Sequence, residues 1–305
     1  MNKKMLVFLM VLVLTLMIGI TGCGTDTATE PETPEETEVV QETEETTFER
    51  VQREGYVTVG FANEAPFAYA TPAGQLTGQN VEIARAVLKR LGIDEMDGVL
   101  TEFGSLIPGL KANRFDMITA GMYITPDRAK EVAFADPEYT IGGALAVKAG
   151  NPYGLSSYED IAANPEVKVA VMAGGQEYEY MIAAGVSADQ LLTVSDQPSC
   201  LAALQAERVD AITMTGPALQ SMLDTVNDPK VERVEDFVVS VIDGVRQQGF
   251  GSTAFRMEDQ DFLAAYNREL QNIKDSGELL EIQKSFGFTE SEFVDGLTAE
   301  DVIAN

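Results

Sequence analysis

The residues best suited to handle a small molecule fall in short stretches that follow apolar runs. Ala62-Asn63-Glu64-Ala65-Pro66-Phe67 sets a carboxylate three residues before an aromatic ring, in a loop stiffened by proline. Phe103-Gly104 follows a second run, and Gly121-Met122-Tyr123-Ile124-Thr125-Pro126-Asp127-Arg128 follows a third. One acid, three rings and one guanidinium thus supply a negative charge beside π faces and a fork for an anion. Each has a plainer reading. Phe67, Phe103 and Tyr123 can be core aromatics, Glu64 a solvated loop acid, and Arg128 a surface partner of Asp127 or Glu131. The chain has no His and two Cys, which excludes a His-based zinc site, a Ser-His-Asp triad and a Cys-His pair. No metal and no cofactor is expected, while carboxylate or Lys chemistry stays open.

These stretches need a scaffold, and the pattern around them is that of an α/β fold with a largely parallel sheet. Strands are expected at Tyr56–Phe61, near Val99–Glu102, and at Asp116–Ala120, Ala144–Val147, Lys168–Val171, Asp210–Met214 and Val238–Ile242. Val81, Ile83, Ala84, Val87, Leu88 and Leu91 mark one face of a helix ending at Gly92. Thr125-Pro126 reads as another helix start. Further helices are expected at Tyr158–Ala163, Glu177–Ala183, Ser199–Glu207, Pro217–Val226 and Gln260–Ser276. In open α/β sheets ligands lie beyond the carboxyl ends of strands, which is where the residues above fall. At 305 residues the chain exceeds what one core usually serves, so two lobes are expected.

Residues 1–23 read as a secretory signal: Lys3 and Lys4, an apolar run from Met5 to Ile20, then Ile20-Thr21-Gly22-Cys23. The ending resembles the lipobox of bacterial lipoproteins, which makes Cys23 the expected lipid attachment site and tethers the protein outside the cytoplasm, on the cell membrane. From Gly24 to Thr47 the chain is Thr, Glu and Pro with nine acids and no base, a disordered, self-repelling spacer. Cys200, beside Leu201 and Leu204, reads as a small buried thiol. The net charge of −28 excludes nucleic acid as a partner. With spacer and signal set aside, 40 acids against 19 bases remain, so the folded part is acidic too.

From Gly55 to Gly287 the chain resembles the bacterial solute-binding proteins of polar amino acid ABC transporters, solute-binding family 3. The resemblance rests on Gly55-Tyr56-Val57-Thr58-Val59-Gly60, Pro66-Phe67, Gly78 with Glu82-Ile83-Ala84, and Leu106-Ile107-Pro108-Gly109-Leu110. Thr125-Pro126-Asp127-Arg128, Val209-Asp210-Ala211, Ile273-Lys274 with Gly277, and Phe286-Gly287 complete it. It implies a two-lobed periplasmic-binding-protein fold of type II with two hinge crossings. Lobe one is then residues 48–146 plus 249–288, lobe two 147–248, and 289–305 a tail. It also implies a monomer that closes over a solute and docks on permease and ATPase subunits, with no catalysis of its own.

Within the family, Phe61-Ala62-Asn63-Glu64-Ala65-Pro66-Phe67-Ala68-Tyr69 looks like the ectoine and hydroxyectoine branch, which imports compatible solutes for osmoprotection. The family's lobe-one Arg for a ligand carboxylate maps onto Arg128, whereas its usual lobe-two Asp for an α-ammonium falls at Thr215. By that resemblance Glu64 accepts from the amidinium ring, Phe67, Phe103 and Tyr123 box it, and Gly121 lines the site. Gly174-Gly175-Gln176 offers backbone N–H groups to the carboxylate, and Thr215 is a minor contact or a helix N-cap. The alternatives are a polar or cationic amino acid binder and, remotely, a cyclohexadienyl-type dehydratase with Glu64 as acid or base.

Overall fold

In the computed structural model, which describes residues 45–242 and 244–304, the chain enters through a helix whose cap and first residue, Thr46 and Thr47, are the last two residues of the expected spacer. Helix α1 (Thr47–Glu54) is fixed by a capping box between Thr46 and Glu49 and ends at Gly55 in the left-handed conformation. Its Val51 is buried with Val57 and Val59 of strand β1 (Tyr56–Phe61). The signal, the proposed lipid-bearing Cys23 and residues 24–44 of the spacer lie outside the described residues.

Helix α2 (Gln79–Arg90) buries the expected face, Val81, Ile83, Ala84, Val87 and Leu88, and Gly92 follows with φ 80°. Then come strand β2 (Glu95–Leu100), helix α3 (Leu106–Lys111) and strand β3 (Met117–Tyr123). The helix expected from Thr125-Pro126 is replaced by a single 3-10 turn at Arg128–Lys130. Ala129 and Val132 donate back to Thr125 and Arg128, and the chain then re-enters the sheet at Ala133–Phe134, leaving no room for a full helix.

Strand β4 (Tyr139–Lys148) leads to helix α4 (Tyr158–Ala163), strand β5 (Val169–Met172), helix α5 (Gln176–Ala183) and strand β6 (Leu191–Val194). Helix α6 (Gln197–Gln205), strand β7 (Ala211–Thr215) and helix α7 (Gly216–Val226) follow. A small antiparallel pairing of 241–242 with 245–246 stands where one strand, Val238–Ile242, was expected. Strand β8 (Gln248–Phe255), helix α8 (Gln260–Asp275), helix α9 (Glu278–Ser285) and helix α10 (Ala299–Ala304) complete the described chain.

The strands run in the order β2-β1-β3-β8-β4-β7-β5-β6. The fold is α/β and two-lobed, and β4 and β8 are the two crossings. The first part of β4 pairs with β8 (Tyr139 opposite Gly251, Gly142 opposite Gln248), while its second part pairs with β7 (Gly143 opposite Thr215, Val147 opposite Ala211). On either side the sheet is parallel, β1 with β2 and β3, and β5 with β6 and β7. One core is built by α2, α8 and β8, with Phe255, Phe262 and Tyr266 packed edge to face. Another, around β5 and β7, takes in Leu145, Val169, Ile161 and Met181. The last residues lie against the first crossing: Thr140 donates to the Glu292 carbonyl, and Ala299 to the Asp136 carboxylate.

Candidate functional site

At the carboxyl ends of β1, β3, β5 and β7 the two lobes enclose a cavity. It is lined by Glu64, Phe103, Gly121, Tyr123, Arg128, Met172, Gly175, Gln176, Glu177, Gln197, Thr213, Met214 and Thr215. About 30 Å³ is open to the centres of water-sized molecules, room for about two of them. Most of the space between the lobes is taken by their own side chains, and two hydrogen bonds cross it, Gln197 to Glu64 and Arg128 to the Gly174 carbonyl.

Glu64 follows β1 in a tight loop, where Phe67 and Ala68 donate to its backbone carbonyl. Only 8% of Glu64 is exposed, and its carboxylate accepts from Gln197 Nε2 across the cleft. Burial pushes its pKa up to about 8, the negative charge of Glu177 adds to the rise, and the Gln197 hydrogen bond opposes it. Gln197 reaches this position because Asp196 caps α6, accepting from Ser199 N at 2.8 Å, and Pro198 fits the first turn.

Arg128 spans the cleft. Its guanidinium donates to the Tyr123 carbonyl at 2.8 Å on one lobe and to the Gly174 carbonyl at 2.8 Å on the other. Its Cζ stands 5.6 Å from the centre of the Phe103 ring, a cation–π contact. The surface pairings considered from sequence are not made: Asp127 pairs with Lys130 and Glu131 with Lys111. Burial lowers the Arg128 pKa and the nearby Glu177 charge opposes this. The backbones approach closely here, since a Cβ on Gly174 would lie 2.8 Å from Gly104 Cα.

Phe67 is a correction to the expected box. Its ring is fully buried and does not line the cavity. It stacks 5.3 Å from Tyr139 and 5.6 Å from Phe288. It lies behind Gly121, where an added Cβ would come within 2.8 Å of its Cγ. Tyr139 Oη also donates to the Gly121 carbonyl, so both rings shape the wall without facing the interior. Tyr123 does face it, its hydroxyl reaching the Ile141 carbonyl at 3.4 Å, and burial raises its pKa.

Thr215 sits at the N-cap position of α7 but makes no side-chain capping bond, and its buried hydroxyl has no hydrogen-bond partner among the described residues. Thr213 beside it is committed, donating to Ala144 O and sharing a 2.6 Å bond with Tyr158 Oη. Gly175 and Gln176 line the cavity at the start of α5. Glu177, the next residue, was read only as the start of a helix. It is 7% exposed, its carboxyl accepts from its own backbone N–H, and burial raises its pKa while Arg128 lowers it. Sequence reasoning also misses Gln197, the first residue of α6, and Met172, Thr213 and Met214, which lie at the ends of β5 and β7; the rule that ligands lie beyond the carboxyl ends of strands points to the three strand residues. Cys200 is a buried free thiol, its pKa pushed up to about 12 chiefly by burial.

A family model described as bacterial extracellular solute-binding proteins, family 3, matches residues 57–290. A probable amino-acid ABC transporter periplasmic-binding protein of Sinorhizobium fredii is 35% identical, covering 79% of this chain and 80% of its own. A crystal structure of EhuB in complex with hydroxyectoine superposes with a TM-score of 0.74 at 34% identity, over 80% of this chain and 93% of that one. The ancestral amino acid-binding protein AncCDT-1, a precursor of cyclohexadienyl dehydratase, gives 0.67 at 26% identity, over 79% and 99%. A two-lobed α/β fold, a cavity at its strand ends and a family match across both lobes agree: this chain belongs to the bacterial extracellular solute-binding proteins, family 3.

Proposed function

We propose that this protein captures a compact zwitterion of the ectoine type, ectoine or hydroxyectoine, for an ABC importer of the amino acid class. The observation that carries this reading is the grouping of Glu64, Phe103, Tyr123 and Arg128 on one cavity, opposite the unpartnered hydroxyl of Thr215. Once Gln197 yields Glu64, a planar amidinium would lie against the rings with its N–H groups on Glu64, each cation–π contact worth about 0.5–2 kcal/mol. Arg128 forks onto the carboxylate after giving up Gly174 O, a charge-assisted bond of about 1.5–3 kcal/mol. The hydroxyectoine-bound relative supports the same choice. Solute binding holds the lobes together, and the closed form docks on permease and ATPase subunits. Anchoring is through a lipid on Cys23; Cys23→Ser should release the protein from membranes or stop its processing, and unchanged anchoring in fractionation refutes the anchor.

Glu177 favours a second reading, a polar or cationic amino acid with its ammonium on this lobe-two acid. Calorimetry with ectoine, hydroxyectoine, arginine, glutamine and glutamate decides. Micromolar binding of an amino acid with no heat from either ectoine overturns the first reading. Mass spectrometry of solute released on denaturing the protein gives an independent answer.

A further inference from the structure

The charges in the cavity do not balance. Glu64 arrives on the first lobe and Glu177 on the second, each more than nine-tenths buried, and Arg128 is the single cationic side chain among the lining residues. Neither acid is hydrogen-bonded to a cation. Glu64 is met by the neutral carboxamide of Gln197, and the two terminal guanidinium nitrogens of Arg128 donate to carbonyl oxygens. Two buried carboxyl groups that share one guanidinium leave room for one more positive charge.

Glu177 is placed for this by its neighbours. It is the second residue of α5, and Gly175 before the helix leaves the space its carboxyl occupies: a Cβ on Gly175 would lie 3.0 Å from Glu177 Oε2. Thr215 lines the same cavity from the start of α7 with an unpartnered hydroxyl, a group that cannot neutralise a cation.

From this we infer that Glu177 is the lobe-two anion of the site, a specificity-determining residue that works with Glu64 to select solutes bearing positive charge. The acid is supplied from the start of α5. The inference rests on the reading of the cavity as a site for a positively charged or zwitterionic solute. Ordinary capping of α5 by an acid in its first turn is the competing role, and it predicts a loss of stability without a loss of affinity.

The test is titration calorimetry of wild type, Glu177→Gln and Glu177→Asp with hydroxyectoine and with L-arginine, alongside each protein's thermal midpoint. The Gln variant should bind tenfold or more weakly at a nearly unchanged midpoint, and the Asp variant, which keeps the charge, should lose less. Unchanged or tighter binding by Glu177→Gln overturns the inference, as does an Asp variant no better than Gln. Wild type that binds arginine but not hydroxyectoine refutes the ectoine-type reading alone, and the Glu177 comparison is then made on arginine. Wild type that takes neither refutes both.

Discussion

Raising the pH should open the solute-free protein, and Glu64 is the reason. In the closed cavity its carboxyl titrates at about 8 instead of its ordinary 4.5, because closure strips its water and brings Glu177 near. With the lobes apart, Glu64 faces solvent and returns toward the ordinary value. The closed form therefore binds the extra proton between pH 4.5 and about 8, and loses stability relative to the open form as pH rises through that interval. At ~1.4 kcal/mol for each pH unit, the cost is about 3 kcal/mol at pH 7 and about 5 kcal/mol above pH 8. Glu177 faces the same space, and because burial raises its pKa as well, against the opposing charge of Arg128, it adds a loss of the same sign as pH rises. Spin labels on Arg114→Cys in the first lobe and Glu159→Cys in the second would report the closed fraction from pH 4.5 to 9, with Cys200 buried and protonated throughout. A positively charged solute should replace the proton and keep the lobes closed above pH 8, and Glu64→Gln should make the pH dependence shallower by removing the Glu64 share of it. A closed fraction that is flat in pH, or that rises with it, would refute the reasoning.

Arg128→Ala should weaken binding of any carboxylate-bearing solute by about 2–5 kcal/mol, measured by calorimetry, because no other cation lines the cavity. Phe67→Ala should cost about 3–5 kcal/mol of stability in denaturant melts, while Phe103→Ala should show its main loss in solute affinity; equal affinity losses with an unmoved Phe67→Ala melt would contradict the placement of Phe67 behind Gly121. Gly251→Ala should destabilise by about 3 kcal/mol or more, seen as a lower thermal midpoint, since the new Cβ would come within 2.1 Å of the Tyr139 ring.

The parts of the fold legible in the sequence are those whose local pattern and tertiary role coincide. Helix α2 shows its buried face as a 3.6-residue period and its end as Gly92, and β1 is a short apolar run between polar loops. Strand β8 carries no such signal. Gln248-Gly249-Phe250-Gly251-Ser252-Thr253 is broken by glycines, which normally weaken a strand. Here they are required, because the rings of Tyr123 and Tyr139 press against Gly249 and Gly251, where any Cβ would collide. Thr125-Pro126 misled for the opposite reason, its local signal being genuine but the space beyond it being taken by the returning strand at Ala133–Phe134.

The same distinction separates the site residues that could be read from those that could not. Glu64, Tyr123 and Arg128 sit at the ends of strands or a few residues beyond them, so the general rule for α/β sheets finds them without knowledge of packing. Phe67 shares that loop but is turned away, and nothing in a one-dimensional pattern says which of two neighbouring side chains faces the ligand. Gln197 and Glu177 stand in the first turns of helices, where Gln and Glu are ordinary surface residues. Their meaning comes only from closure, when β4 and β8 bring the second lobe over the first and place a carboxamide on Glu64 and a second acid opposite it. A carboxyl group held near pKa 8 beside another carboxyl is costly to bury, and the natural relief is a solute that brings its own positive charge. The groups that face Glu64 across the cavity are therefore the ones hidden in the sequence, because only packing brings them there.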